Sequence, residues 1–140
     1  MTILGRRDYI DLPKFELANI QAKIDTGAYG CSLHCHEIAI EIIDGKETLK
    51  FKLLDPQHPV YEDKYIYTTV FNDKIVKNSG GQTEHRYTIN TDIILFAVTY
   101  DVEFSLADRE QMRYPILLGR KFLRNRFIVD VSLKNVSRKL

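Results

Sequence analysis

The residues best suited to chemistry fall in three short runs. Ala22-Lys23-Ile24-Asp25-Thr26-Gly27-Ala28 reads as a strand that ends in an acid, a hydroxyl and a glycine. Such an end presents a carboxyl able to move protons, on backbone that turns at once because glycine tolerates the turn. Leu33 lies a few residues beyond Ala28, so the loop leaves one strand and enters another. Near the other end, Tyr114-Pro115-Ile116-Leu117-Leu118-Gly119-Arg120-Lys121-Phe122-Leu123 places an apolar triplet, a glycine and a basic residue ahead of a short helix. Between them Cys31, His34, Cys35 and His36 offer four nitrogen and sulfur atoms of the kind that bind zinc. In an extended strand, however, the two cysteines face one side and the two histidines the other, which forbids a common tetrahedral site. No H-E-x-x-H occurs, and His58 and His85 stand alone, so no metal is expected.

The elements that must hold these runs are mainly strands. Ile, Val, Thr, Tyr and Phe are abundant and Ala is scarce, a balance that favours β structure. Residues 37–43 alternate Ile38, Ile40 and Ile42 with polar or small neighbours, Asp44-Gly45 supplies a type I′ turn, and Leu49, Phe51 and Leu53 alternate on the return. Further extended stretches are expected at 8–12, 20–24, 65–77, 83–90, 93–104 and 127–131, with turns at 55–56, 78–81 and 108–115 and an exposed loop over 54–64. One helix is expected, over 119–125. Short strands at such spacing form a barrel or a sandwich.

The chain has 140 residues, 44% of them hydrophobic and 28% charged, which suits one domain spanning 1–140 with its own core. A net charge of +1 gives no ground for a nucleic-acid partner. The longest apolar run, residues 93–98, is far short of the roughly 20 residues that cross a bilayer, and the N-terminus has no apolar signal core, so no membrane partner and no export are expected. Cys31 and Cys35 are too far apart along a strand to bridge. The expected compartment is the reducing cytoplasm.

Asp25-Thr26-Gly27-Ala28 and the later Ile116-Leu117-Leu118-Gly119-Arg120 segment, in this order, resemble the retropepsins, the dimeric aspartic proteases of retroviruses. Over nearly its full length the chain is similar to small bacterial retropepsin-like proteins, often called ATP-dependent zinc proteases and associated with RimK-type ATP-grasp ligases. The matching pieces are Gly5-Arg6-Arg7, residues 22–28, Leu33-His34, Leu53-Leu54-Asp55, Val76-Lys77-Asn78-Ser79, Arg86, the turn at 108–113, residues 114–122 and residues 127–132.

This resemblance implies a mostly β fold, a closed β-barrel of the acid-protease type with one short C-terminal helix. It implies an aspartic endopeptidase with Asp25, Thr26 and Gly27 in the catalytic loop. Thr26 would hydrogen-bond across a two-fold axis, and Gly27 would let backbone approach the partner loop and the substrate. Ala28, Leu118 and a flap tip at Ser79, Gly80 and Gly81 would bind a peptide or protein substrate, and Gly119 and Arg120 would be structural. Peptide hydrolysis by aspartates needs two carboxyls sharing one proton, and no second D-[ST]-G occurs, so the partner acid must be Asp25 of another copy. A homodimer without cofactor, active at mildly acidic pH, is expected. An ATP-grasp ligase is a further expected partner. The alternative is a dimeric peptide-binding adaptor that serves such a ligase and does no hydrolysis. Retroviral enzymes carry, after D-T-G-A, an acid that pairs with the later arginine; here Tyr29-Gly30 stand in its place, and Arg120 is expected to pair with Asp108, Glu110 or Asp130. Cys31 is expected as a small buried filler.

Overall fold

The computed structural model describes residues 1–77, 80–108 and 114–138. The described residues form eleven strands and one α-helix: β1 (Thr2–Leu4), β2 (Arg7–Leu12), β3 (Leu17–Ile24), β4 (Cys31–Ile43), β5 (Lys46–Leu53), β6 (Ile66–Thr68), β7 (Asn72–Lys77), β8 (Thr83–Leu95), β9 (Val98–Ala107), β10 (Ile116–Leu118), α1 (Arg120–Leu123) and β11 (Phe127–Val129). Six of the strands close a barrel in the order β10, β3, β2, β8, β9, β4, and the ring shuts where β4 pairs back onto β10 through Ile116 with Leu33. β5 and β6 extend the sheet beyond β4, while β7 lies on the outer half of β8. The expected barrel with one short helix is therefore present.

Period-two alternation explains the barrel interior. In β2 it turns Asp8, Ile10 and Leu12 inward, and Ile20, Ala22, Leu33, Cys35, Ile93, Leu95, Phe104 and Ile116 fill the same core. The inward acid at Asp8 is fully buried, and it is satisfied by the C-terminal segment. Ser137 donates its backbone N–H to Asp8 Oδ2 at 3.1 Å and its hydroxyl to Oδ1, which also takes the Tyr9 N–H at 2.7 Å. The chain ends meet elsewhere too. β1 and β11 form a small parallel sheet, and the Arg6 N–H donates to the Leu133 carbonyl at 2.8 Å.

The hairpin at Asp44-Gly45 forms as its residues require, with φ of 51° and 76°. Three expected boundaries are corrected. The apolar run at 93–98 hides a tight turn: Phe96 and Ala97 both take positive φ, 53° and 59°, so β8 runs on to Leu95 and β9 begins at Val98. No glycine or asparagine marks this turn. Phe96 is held in place because its ring stacks on Phe127 at 6.3 Å, and core packing overrides local preference. The stretch expected at 65–77 is two strands, since β6 pairs with β5 and β7 with β8. The helix is shorter than 119–125, because Arg124 leaves helical dihedrals.

Candidate functional site

Asp25 stands at the end of β3, where two neighbouring elements fix the backbone. The Ile24 N–H donates to the Arg6 carbonyl at 2.9 Å, and the Asp25 N–H to the Leu118 carbonyl of β10 at 2.9 Å. The chain then turns on itself: the Ala28 N–H reaches the Asp25 carbonyl at 3.2 Å, and the Gly27 N–H donates to Asp25 Oδ1 at 3.0 Å. An acid that accepts from the amide two residues on is the usual stabiliser of such a turn, and here it also aims the carboxyl. Thr26 and Gly27 are exposed at the tip, while Asp25 and Ala28 are half-buried.

The β10–α1 junction braces this loop from behind. The Arg120 N–H donates to the Ala28 carbonyl at 2.9 Å and the Lys121 N–H to the Tyr29 carbonyl at 2.8 Å. The Gly119 N–H donates to Cys31 Sγ at 3.4 Å. Gly119 has no room for a side chain: a Cβ there would overlap the Gly30 carbonyl oxygen and lie 2.7 Å from that of Tyr29 and 2.8 Å from that of Ala28. Its backbone is ordinary extended chain, so the requirement is steric. Cys31 is buried, as expected of a filler, and it is in addition the acceptor for a buried amide. Burial raises its thiol pKa, partly offset by that amide.

Arg120 has partners other than the acids expected for it. Among the described residues its partner is not a carboxylate: Nη1 donates to the Thr26 carbonyl at 2.9 Å, and the guanidinium lies 6.0 Å from the centre of the Tyr29 ring. Tyr29, at the place of the missing acid, gives the cation a π face, and the backbone gives it an oxygen. Neither partner is legible from charge pairing. Of the three acids expected, Glu110 lies outside the described residues.

The Asp25 loop opens on a cleft of about 620 Å³ whose far wall is the strand β8. Ala28, Ser32, Ile38, Leu106, Ala107, Asp108 and Leu117 line it beside Asp25, and Glu84, His85, Arg86 and Tyr87 face them from β8. A second cleft of about 500 Å³ shares Gly30, Cys31, Arg86 and Ser105 with the first and continues between β7, β9 and α1. The β7–β8 hairpin thus presents its β8 strand to the acid from across the cleft. Gly80 and Gly81 lie in its turn, Gly81 with φ of 79°; Ser79 lies outside the described residues. Leu118 is buried in the core and meets the site through its carbonyl. Ile38, His85 and Tyr87 line the cleft without having been expected at the site, although alternation along the hairpin strand could have marked its inward residues. Arg86 is held by Glu84 at 3.2 Å and sits where the two clefts join.

The Cys–His run divides among different partners. Cys31 and Cys35 are buried free thiols, and burial pushes Cys35 well above the ordinary thiol range. His34 is buried with Nε2 3.8 Å from Asp55, whereas His36 meets the Leu54 carbonyl at 2.9 Å and the Tyr61 hydroxyl at 3.0 Å. Among the described residues no group of three or more His, Cys, Asp or Glu is placed to hold a metal ion. The loop over 54–65 is fastened instead by Lys52, which lies 2.8 Å from Glu37 and 2.7 Å from Asp63. Hydrogen bonding to Lys52 holds both carboxyls below their usual pKa and raises that of the ammonium.

Residues 3–140 match the sequence profile of the RimB-like family, described as "Retropepsin-like aspartic endopeptidase RimB". The chain belongs to this RimB-like family. It is also 31% identical over 136 residues to a protein from Desulfotalea psychrophila named "Probable alpha-L-glutamate ligase", and 31% identical over 132 residues to a protein of the same name from Parasynechococcus marenigrum. These alignments cover 94% and 91% of the RimB-like chain, which spans about 28% of the length of the curated relatives. A crystal structure of a Legionella pneumophila protein of unknown function, of the DUF785 group, shares the fold with a TM-score of 0.73 at 23% identity, covering 97% of this chain and 98% of that one.

Proposed function

We propose that this RimB-like chain forms one retropepsin-like domain, 1–140, and acts as a homodimeric aspartic endopeptidase. In this reading Asp25 of each copy forms the catalytic pair. The observation that carries it is Asp25 itself: a D-T-G carboxyl aimed by its own turn into a cleft roofed by a β-hairpin, in a chain of this family. Two carboxyls about 3 Å apart cannot both ionise, so the pair shares a proton. The ionised member takes a proton from water as the oxygen attacks the scissile carbonyl, and the protonated member donates to the carbonyl oxygen. When the tetrahedral intermediate collapses, the C–N bond breaks and the amine leaves with a proton from the pair.

The peptide lies extended along the two clefts, held by main-chain bonds in the manner of an added strand. Ala28 and the hairpin-turn residues Gly80 and Gly81 are its contacts, Leu118 acts from the core by holding the Asp25 backbone, and closure of the hairpin excludes water. Arg120 and Gly119 keep the acid loop in register. The chain works in the cytoplasm without cofactor, beside an ATP-grasp ligase, a partner in keeping with relatives named as alpha-L-glutamate ligases.

Asp25→Asn, assayed against a peptide library between about pH 4 and 7, where shared carboxyls titrate, tests this reading. Loss of cleavage supports it; equal cleavage by variant and wild type overturns it. A second reading, a peptide-binding adaptor for the ligase, is favoured by the ligase names of the relatives and by Tyr29 in place of the acid. It predicts peptide binding that survives Asp25→Asn, and turnover by the purified chain without any ligase ends it.

A further inference from the structure

We propose that the second cleft, between β7, β8, β9 and α1, binds a small phosphate monoester, which competes there with the peptide. The competition rests on the reading of the two clefts as a peptide path; the binding does not. The floor of the site is a row of hydroxyls set by strand register. Ser32 of β4 pairs with Ser105 of β9, and Ser105 with Thr88 of β8, so the three side chains share one face of the sheet, turned away from the core residues Leu33, Phe104 and Ile89. Neighbouring strands lie about 4.8 Å apart, so the row runs about 10 Å across the sheet. Ser105 lines both clefts, Ser32 the first and Thr88 the second. Thr88 is 5% exposed, and neither its Oγ1 nor the buried Ser32 Oγ finds a partner among the described residues. Buried hydroxyls are ordinarily paired, so these two call for a polar atom from a ligand.

Cations gather around Thr88 from several elements. Arg86, two residues before it on the same strand face, gives one N–H to Glu84 at 3.2 Å, and its guanidinium has further N–H groups to give. Lys74, opposite Arg86 on β7, reaches Glu103 on β9 at 3.8 Å; β8 lies between these strands, so the lysine passes over the face that carries Thr88. Lys121 of α1 meets the same carboxylate at 3.5 Å. Two ammoniums thus share one acid, and the cleft as a whole sets four cations, Lys74, Arg86, Lys121 and Arg126, against the two carboxylates of Asp101 and Glu103. An anion between Lys74 and Lys121 corrects that imbalance. Donors that come from the sheet floor, from β7 and from α1 suit the tetrahedral oxygens of a phosphate better than the two coplanar oxygens of a carboxylate. Tyr29 and Phe122 add an aromatic wall, and about 500 Å³ lies within the range of roughly 300–1,000 Å³ typical of small-molecule sites. The ligand is therefore a phosphate monoester with a compact apolar body. A peptide extended along both clefts crosses the same floor, so the two exclude each other.

The test is isothermal titration calorimetry of the full chain near neutral pH with phenyl phosphate, inorganic phosphate and malonate, with circular dichroism to confirm folding of each variant. Saturable binding of phenyl phosphate is expected, tighter than that of inorganic phosphate. Thr88→Val and Arg86→Gln should each weaken it about 10-fold or more, whereas Thr88→Ser, which keeps the hydroxyl, and Lys46→Gln, on the distant β4–β5 hairpin, should leave it unchanged. Arg86 is exposed, so Arg86→Gln carries the test should Thr88→Val fail to fold. No saturable binding, or wild-type binding by the Thr88→Val and Arg86→Gln variants, overturns the site. Malonate bound as tightly as inorganic phosphate overturns the phosphate assignment. In peptide cleavage, phenyl phosphate should raise KM and leave kcat unchanged; an unchanged KM overturns the competition. Binding by a chain that cleaves no peptide leaves the site standing and ends the protease reading, and cleavage without binding does the reverse.

Discussion

Gly119→Ala probes the brace behind the acid most sharply. The added methyl would overlap the Gly30 carbonyl oxygen and press on those of Tyr29 and Ala28, at 2.7 and 2.8 Å. All three are backbone atoms, so no side chain can swing aside. Relief requires the 28–30 loop to retreat from α1, which breaks the bonds from Arg120 and Lys121 at 2.9 and 2.8 Å. Overpacking of this kind costs about 1–3 kcal/mol. Losing two backbone hydrogen bonds adds about 1 kcal/mol each. The expected loss is therefore about 3–5 kcal/mol, which for a chain of this size lowers Tm by roughly 10–15 °C. Urea denaturation gives the free energy, and peptide cleavage should fall together with it, because the displaced loop carries Asp25. Gly30→Ala is the control: a Cβ there meets nothing within 4 Å, so stability should change by under about 0.5 kcal/mol. If Gly119→Ala proves as mild as Gly30→Ala, the steric account of the junction is wrong.

Ala97→Gly should stabilise the chain by about 0.5–1 kcal/mol in urea denaturation, because Ala97 holds φ of 59° and glycine accepts that conformation without a Cβ penalty. No gain would show that the turn carries no strain. Asp8→Ala should destabilise by about 3 kcal/mol, since it leaves two amides and a hydroxyl without their acceptor, and Asp8→Asn by less; equal stability of Asp8→Ala and wild type would refute the proposed anchoring of the C-terminal segment. Lys52→Met should flatten the acid side of the Tm-against-pH curve. Glu37 and Asp63 are held below their unfolded values by Lys52, so their contribution is present above the unfolded pKa and is lost as pH falls through the folded one. Scanning fluorimetry from pH 7 to 3 reads this, and parallel curves for variant and wild type would contradict it.

What the sequence disclosed and what it withheld divide along the range of the forces involved. Local chemistry was legible: Asp44-Gly45 forces its turn, residues 8–12 read as extended chain, and Asp25-Thr26-Gly27 announces a carboxyl on a tight loop. Features made by distant residues were not. The turn at Phe96-Ala97 sits inside an apolar run and exists because the Phe96 ring finds Phe127. Arg120 was expected to pair with Asp108, Glu110 or Asp130; among the described residues it takes the Thr26 carbonyl and the Tyr29 ring, partners that composition cannot reveal. Asp8 finds Ser137 from nearly the other end of the chain. Nothing in Thr2-Ile3-Leu4 alone announces a strand; the pairing with β11 supplies it.

The central claim, that one working site takes an acid from each of two copies, is tested most directly by subunit mixing. Wild type and Asp25→Asn chains are combined in equal amounts at fixed total concentration, allowed to exchange, and assayed for peptide cleavage. If both acids are needed, only wild-type pairs work, and activity falls to about one quarter of the all-wild-type value. If each chain cleaves by itself, activity stays at about one half, and the shared site is disproved.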